Sequence, residues 1–349
     1  MAARRKADDS GLFASPRREP LRARVVAGVD EAGLGPLLGP YTLGWCAFRA
    51  DDPARLVDLW SELAPAVSRE PAASDALAVA DSKEVWSRTT RGALRLERVV
   101  QCFEALHGLP PAVDARAWFA RAAGELWSDE LAREPWWSSA RLDLAPEELD
   151  AEERAWRDDM ARLLFERSRS AGIELVALGS RAATPAELNR SFERTGSKGA
   201  TAFEEVAAVL RILWRDHGAA GLSVVVDRQG GRARYARPLS DGLPGARVAV
   251  LAETPGDSRY ALEDDEGRRA EVRFVERAES LALPVALASC RAKHARELAM
   301  AAFNRHFGAL APDIAPTAGY VEDGRRWLAA MRERLEALGI EHERLVRSR

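Results

Sequence analysis

Cysteine and histidine are scarce in this chain, with three and five among 349 residues. Cys46, Cys102 and Cys290 are scattered without metal-binding spacing, and the histidines show no ligand spacing either. That pattern argues against a zinc site or a disulfide framework and for reduced, buried thiols in a cytoplasmic protein. No apolar run approaches the roughly 20 residues that a membrane-spanning helix needs. The start, "MAARRKADDSGLFASPRREPLRAR", is basic but lacks the apolar core and small-residue cleavage site of a secretory signal. Internal repeats and low-complexity blocks are absent. So is an excess of charge of one sign: 51 Lys and Arg against 54 Asp and Glu leave a formal net charge of −3. This argues against a non-specific nucleic-acid coat but leaves room for a local basic groove.

What is present is ordinary globular material, 47% hydrophobic and 30% charged. Residues 1–22 read as a disordered basic arm. Strand patterns occupy residues 24–30 and "YTLGWCAFR" at 41–49, joined by the short turn "GLGPLLGP", which favours an antiparallel pair. Further strands are "GIELVALGS" at 172–180, the continuous apolar run opening "LSVVVDRQGG" at 222–231, and "AEVRFVERAES" at 270–280, the last preceded by a Gly/Pro-rich hairpin region. Residues 54–69, 80–106 (after an opening loop), 147–171, 201–218 and the stretch from Leu281 to Gly308 read as helices. A loop and a final charged helix follow from about 310. Between 109 and 145 the chain carries Trp118, Trp127, Trp136 and Trp137 among Pro, Ser and mixed charges. This segment reads as an insertion packed on the core, with an aromatic platform for stacking bases as the competing reading. The alternation of strands and helices predicts a mixed α/β sheet.

Two adjacent acids, Asp30 and Glu31, close the β-branched run "VVAGVDE". Burying unpaired carboxylates costs roughly 2–5 kcal/mol unless they find a proton, a partner or a metal. Asp227 ends "SVVVD", and Glu297 lies four residues after Lys293, on nearly the same helical face. If the first and fourth strands are neighbours, their carboxyl ends converge and hard cations, Mg²⁺ or Mn²⁺, offset the repulsion. Two such ions on the order of 4 Å apart suit phosphodiester hydrolysis. Taken singly, Glu297 is also a plain helix partner for Lys293, worth roughly 0.3–0.5 kcal/mol, and His294 reads as a helix-surface histidine.

The residues resemble a family, type 2 ribonuclease H (ribonuclease HII). "GVDEAGLGPLLGP" is similar to its first motif, GVDEAGRGPLAGP, and "DSK" at 81–83 to its second. "GIELVALGSRAATPAELN" resembles its third strand and following helix start, and "VVVD" at 224–227 its strand with the third acid. "ESLALPVALASCRAKHARE" is similar to its S-x-A-A-A-S-I-x-A-K-x-x-R-D helix, and "AGYVED" to its K-G-Y-G-T motif. Six motifs in register cover most of residues 24–330.

The resemblance implies a ribonuclease H-like mixed five-stranded sheet flanked by helices, with a helical Trp-rich insertion at about 109–170. The catalytic domain would span 23–310 and a C-terminal helical, substrate-side segment 311–349. It also implies a metal-dependent endonuclease that hydrolyses the RNA strand of RNA/DNA hybrids or ribonucleotide-containing DNA, leaving 5′-phosphate and 3′-hydroxyl ends. Its implied cofactor is a two-ion Mg²⁺ or Mn²⁺ site on Asp30, Glu31, Asp227 and Glu297, the last standing where the family has its fourth Asp. Gly33, Leu34, Gly35, Ser82, Lys83, Ser289, Lys293 and Tyr320 would meet the substrate. The implied protein is a monomer with no membrane association and no obligate protein partner. Leu34 stands where the family has Arg, Arg228-Gln229 follow the third acid in place of Gly-Asn, and the last motif lacks its leading Lys. These departures motivate the alternative, a catalytically weakened nucleic-acid-binding protein on the same fold.

Overall fold

Val25, Ala27 and Val29 alternate into an apolar core, so the first sequence pattern forms a central strand. The structure is a computed structural model that describes residues 21–138, 141–142, 144 and 151–349; most of the expected basic arm lies outside that range. The main sheet comprises β1 (Val25–Ala32), β2 (Tyr41–Ala50), β3 (Ile173–Ala183), β4 (Leu222–Asp227), β5 (Arg247–Glu253), β6 (Asp257–Glu263) and β7 (Arg269–Val275). Their spatial order is β3-β2-β1-β4-β7-β6-β5. β2 runs antiparallel to both β1 and β3, while β4 lies parallel to β1 and β7. These are the five strands expected from the sequence. The hairpin region supplies β5 and β6, which extend one edge in antiparallel pairing.

One face of the sheet is covered by α5 (Lys198–His217), whose Phe203, Val206, Leu210 and Leu213 meet Val29, Leu43 and Val226, with Leu188 and Phe192 of α4 (Pro185–Thr195) in the same core. The other face is covered by α6 (Leu283–Leu310), with α1 (Thr90–Leu106) and α3 (Ala151–Ala171) packed outside it. Helix α6 lies close because two strand residues have no side chain. A Cβ at Gly28 would stand 2.1 Å from the Pro284 carbonyl carbon, and one at Gly44 2.1 Å from the Ala288 oxygen. Small residues on the helix and glycines on the sheet thus bring backbone to backbone.

The Trp-rich insertion packs as core. Trp118, on α2 (Ala115–Ala123), and Trp136 and Trp137 are all buried, the last two against Phe303 and Phe307 of α6. A base-stacking platform needs exposed rings, so these three do not form one. The helix expected over 54–69 is interrupted. A short turn at Pro53–Leu56 is followed by a helix at Leu59–Leu63 capped by Asp58. Pro65, which lacks an N–H, stands just past its end. Among the described residues no helix is long and apolar enough to cross a membrane.

Candidate active site at the carboxyl ends of β1 and β4

Strand register brings the first two acids together. Val29 pairs with Val226 across the parallel β1–β4 ladder, so Asp30 and Asp227 come next on each strand, on chains roughly 4.8 Å apart. Gly28 faces α6, and two residues on, Asp30 faces it too. Asp30 is buried, and burial followed by the Asp227 charge raises its carboxyl pKa well above the usual range. A hydrogen bond from Ser289 of α6 and one from the Glu31 N–H, at 2.7 Å, partly offset that rise. Burial likewise raises Asp227, with Glu31 adding to the effect; Asp227 Oδ1 accepts the Ala278 N–H at 3.2 Å.

Glu31 behaves differently because successive strand residues point to opposite faces. Its carboxylate accepts from the Tyr41 hydroxyl and, at 2.9 Å, from Gln229 Nε2. Burial raises its pKa while these two donors restrain it. Tyr41 is fully buried and Gln229 nearly so, and Gln229 Oε1 is left without a partner. Gln229 and Tyr41 therefore hold Glu31 with neutral donors, while the neighbouring Arg228 guanidinium turns to Glu276 and the Arg232 carbonyl.

A further acid stands within reach of the Asp227 charge. Glu279 sits on the short turn Ala278–Ser280 just after β7, the neighbour of β4. Burial, then the charges of Asp227 and Asp81, raise its pKa. Glu297, expected as the fourth acid, accepts Lys293 Nζ at 2.6 Å. It lies eight residues beyond Ser289 on α6, roughly 12 Å along the axis. The sequence pattern ran the strand through 270–280, whereas β7 ends at Val275. An acid soon after a strand end, as at Asp30-Glu31, was the signal available for Glu279.

The remaining expected residues divide into two places. Ser82 is buried, and its hydroxyl and Ser289 Oγ share a hydrogen bond at 3.0 Å, which anchors the "DSK" segment to α6. Lys83, next to it, is exposed, and its charge acts on Asp227 and Glu279. Ser289 is itself buried and positions Asp30 and Ser82. The turn Gly33-Leu34-Gly35 begins two residues after Glu31, where β1 ends at Ala32. Lys293, Glu297 and Tyr320 line a separate cleft of about 770 Å³ with Trp86 and Arg88. In it Lys293 Nζ lies 4.1 Å from the Trp86 ring centre. His294 is buried against Trp118 rather than on the helix surface.

Carboxylate oxygens are the donors that hard divalent cations prefer. Asp30, Glu31, Asp227 and Glu279 all have raised pKa values, with Lys83 the lysine that acts on two of them. A divalent cation suits that shortage of positive charge. As placed, no three Asp, Glu, His or Cys side chains among the described residues form a group that could hold an ion. Glu31, turned to Tyr41 and Gln229 on the other face, accounts for part of that.

No family model matches this chain, and no curated protein matches it. It is similar to solved structures at low identity. A chain of the PCNA:RNase HII complex from Archaeoglobus fulgidus shares 15% identity, over 93% of this chain and 94% of that one, with a TM-score of 0.39. Ribonuclease H2 from Pyrococcus horikoshii OT3 shares 16% over 92% of each chain, with a TM-score of 0.40. Bst-RNase HIII in complex with Mn²⁺ shares 14%, over 93% of this chain and 67% of that one, with a TM-score of 0.38. Likeness at that level adds nothing about activity. It is the chain's own mixed sheet, ordered β3-β2-β1-β4-β7 with β2 reversed, that gives it a ribonuclease H-like fold.

Proposed function

We propose that this chain is a metal-dependent endonuclease that cuts the RNA strand of RNA/DNA hybrids, leaving 5′-phosphate and 3′-hydroxyl ends. The observation that carries the reading is the pairing of buried Asp30 with half-buried Asp227 at adjacent strand ends, with the Asp227 charge acting on both Asp30 and Glu279. Asp30, Glu31, Asp227 and Glu279 would hold Mg²⁺ or Mn²⁺. Such ions lower the pKa of an attacking water and stabilise the leaving oxygen. The chain's own residues then bind and orient. Ser289 holds Asp30 and, through Ser82, the loop that presents Lys83 to a phosphate. The turn at Gly33–Gly35 gives the nucleic acid close access to backbone. Lys293 and Tyr320 extend the contact surface into the neighbouring cleft. The 2′-hydroxyl is the group by which the RNA strand differs from DNA.

The test is cleavage of a labelled RNA/DNA hybrid in Mg²⁺ and in Mn²⁺, beside Asp30→Asn, Glu279→Gln and Glu297→Gln. Asp30→Asn and Glu279→Gln should each lower the rate at least about a hundredfold, on the scale expected for losing a group that stabilises the transition state. Glu297→Gln should retain most of it. Equal cleavage by the unaltered chain and Asp30→Asn removes the enzymatic reading. Retained activity in Glu279→Gln with loss in Glu297→Gln restores Glu297 as the fourth acid. One observation favours a second reading, a hybrid-binding protein with little turnover: Glu31 is already engaged by Tyr41 and Gln229. Binding without cleavage under either ion would select it.

A further inference from the structure

One guanidinium ties the turn after the two acids to a residue more than 300 positions away. Arg347 is 2% exposed. Its Nε and Nη2 donate to the Gly39 carbonyl at 3.0 and 2.6 Å, and its Nη1 donates to the carbonyls of Gly33 and Leu34. Its own N–H donates to the Leu37 carbonyl at 3.0 Å, and Val346 bridges Leu38 in antiparallel fashion. Asn189 fastens the same tail, donating to Val346 O at 2.8 Å and accepting the Ser348 N–H at 2.7 Å.

Arg296 of α6 closes the turn from the other side. Its Nη1 donates to the Pro40 carbonyl at 2.9 Å, and its Cδ would lie 2.7 Å from a Cβ at Gly33. Among the described residues neither guanidinium bonds a carboxylate; both are met by peptide carbonyls, and the Glu297 charge acts on Arg296 but not on Arg347. A buried charge without a bonded counter-ion is costly, so the fold that keeps Arg347 beneath this turn favours negative charge near it.

The amides of that turn are free to receive it. Among the described residues no acceptor takes the N–H of Gly33, Leu34 or Gly35. Gly33 has φ +80, and Gly35 is exposed. Arg347 engages carbonyls of this turn while its amides have no acceptor among the described residues, and unpaired backbone N–H groups in a turn suit an anionic oxygen.

We propose that Arg347 is a positioning residue for nucleic-acid binding: by gripping the carbonyls of Gly33, Leu34 and Gly39 it holds the turn so that the amides of residues 33–35 meet a backbone phosphate of the bound strand. The inference rests on the nuclease reading above and adds to it a residue outside the expected motifs. It supplies, from beneath, the positive charge that Leu34 does not carry.

The experiment uses the full chain with Arg347→Gln and Arg347→Lys. Binding of a fluorescent RNA/DNA hybrid is followed by anisotropy without divalent ions across a salt series, and steady-state cleavage is measured in Mn²⁺. Hydrogen exchange of the Leu37 and Leu38 amides, both bonded to the Gly319 carbonyl, reports the turn directly. Arg347→Gln should raise Kd and KM roughly tenfold, change kcat less than about threefold, and lower the salt slope by about one. Amide exchange in the turn should speed up, with Arg347→Lys intermediate in every readout. A folded Arg347→Gln variant with unaltered Kd and salt slope overturns the inference, as does a fall in kcat at constant KM. If Arg347→Gln does not fold, Arg347→Lys decides by the same readouts. Failure of the unaltered chain to bind the hybrid is a different result: it overturns the nuclease reading, and this inference with it.

Discussion

His294 offers a test of the packing that ties the insertion to the sheet. It is 3% exposed, its ring lies 5.0 Å from the Trp118 ring, and among the described residues neither ring nitrogen has a hydrogen-bond partner. The charges that act on it are Arg291 and Arg157, and Glu104 pairs with Arg291 close by. Burial first, then those two guanidinium groups, hold its pKa at about 3 against an ordinary 6.5. The unfolded chain takes up the proton near 6.5 and the folded chain only near 3, so acid favours unfolding. The contribution to stability is complete above pH 6.5 and is lost progressively as the pH falls towards 3. At about 1.36 kcal/mol per unit, going from pH 7 to pH 5 costs about 2 kcal/mol through this residue alone. His294→Met removes the titrating group while keeping an apolar side chain that adapts to the space. Urea unfolding of both proteins at pH 7, 6 and 5 isolates the effect, because other groups titrate alike in each. The stability difference should shift by about 2 kcal/mol in favour of the methionine variant between pH 7 and pH 5. A difference that stays constant over that range would refute the buried, neutral imidazole.

Two further changes probe the site. In Gly44→Ala the new Cβ stands 2.1 Å from the Ala288 oxygen and 2.8 Å from the Ala292 nitrogen, both backbone atoms that no side-chain rotation can move. Helix α6 must retreat, costing about 3 kcal/mol at the upper end of overpacking, and Ser289 leaves Asp30. A wild-type urea midpoint would show that the helix is not that close. Tyr41→Phe removes one of the two donors to Glu31 and should cost about 1–3 kcal/mol while shifting the midpoint of a Mn²⁺ titration. An unchanged midpoint in both experiments would show that the hydroxyl does not restrain Glu31.

Much of this architecture is legible along the chain. The alternation in residues 25–29 and the apolar run before Asp227 depend on local pattern, and both appear as strands. The amphipathic helix expected at 201–218 is α5, at Lys198–His217. Asp30 and Asp227 stood out because each is an acid at the end of such a run. For Glu297 the i, i+4 spacing from Lys293 serves a ligand face or an ion pair alike, and the structure holds it in the ion pair. Glu279 was hidden in a segment whose alternation continued past the true strand end, where Arg277 adopts a left-handed conformation and turns the chain. His294 was misplaced because a helix's own periodicity does not show that an insertion will cover its outer face with Trp118.

By itself, then, the amino-acid order determined the strands, the principal helices and two strand-end acids. Each of these follows from side chains within one turn or one pleat of each other. Tertiary structure decided that Glu279 comes within reach of the Asp227 charge, which donors hold Glu31, and that Arg347 grips the turn beside them. Those choices depend on strand order and on segments packed together from distant parts of the chain, and no local periodicity encodes which distant partner a side chain will meet.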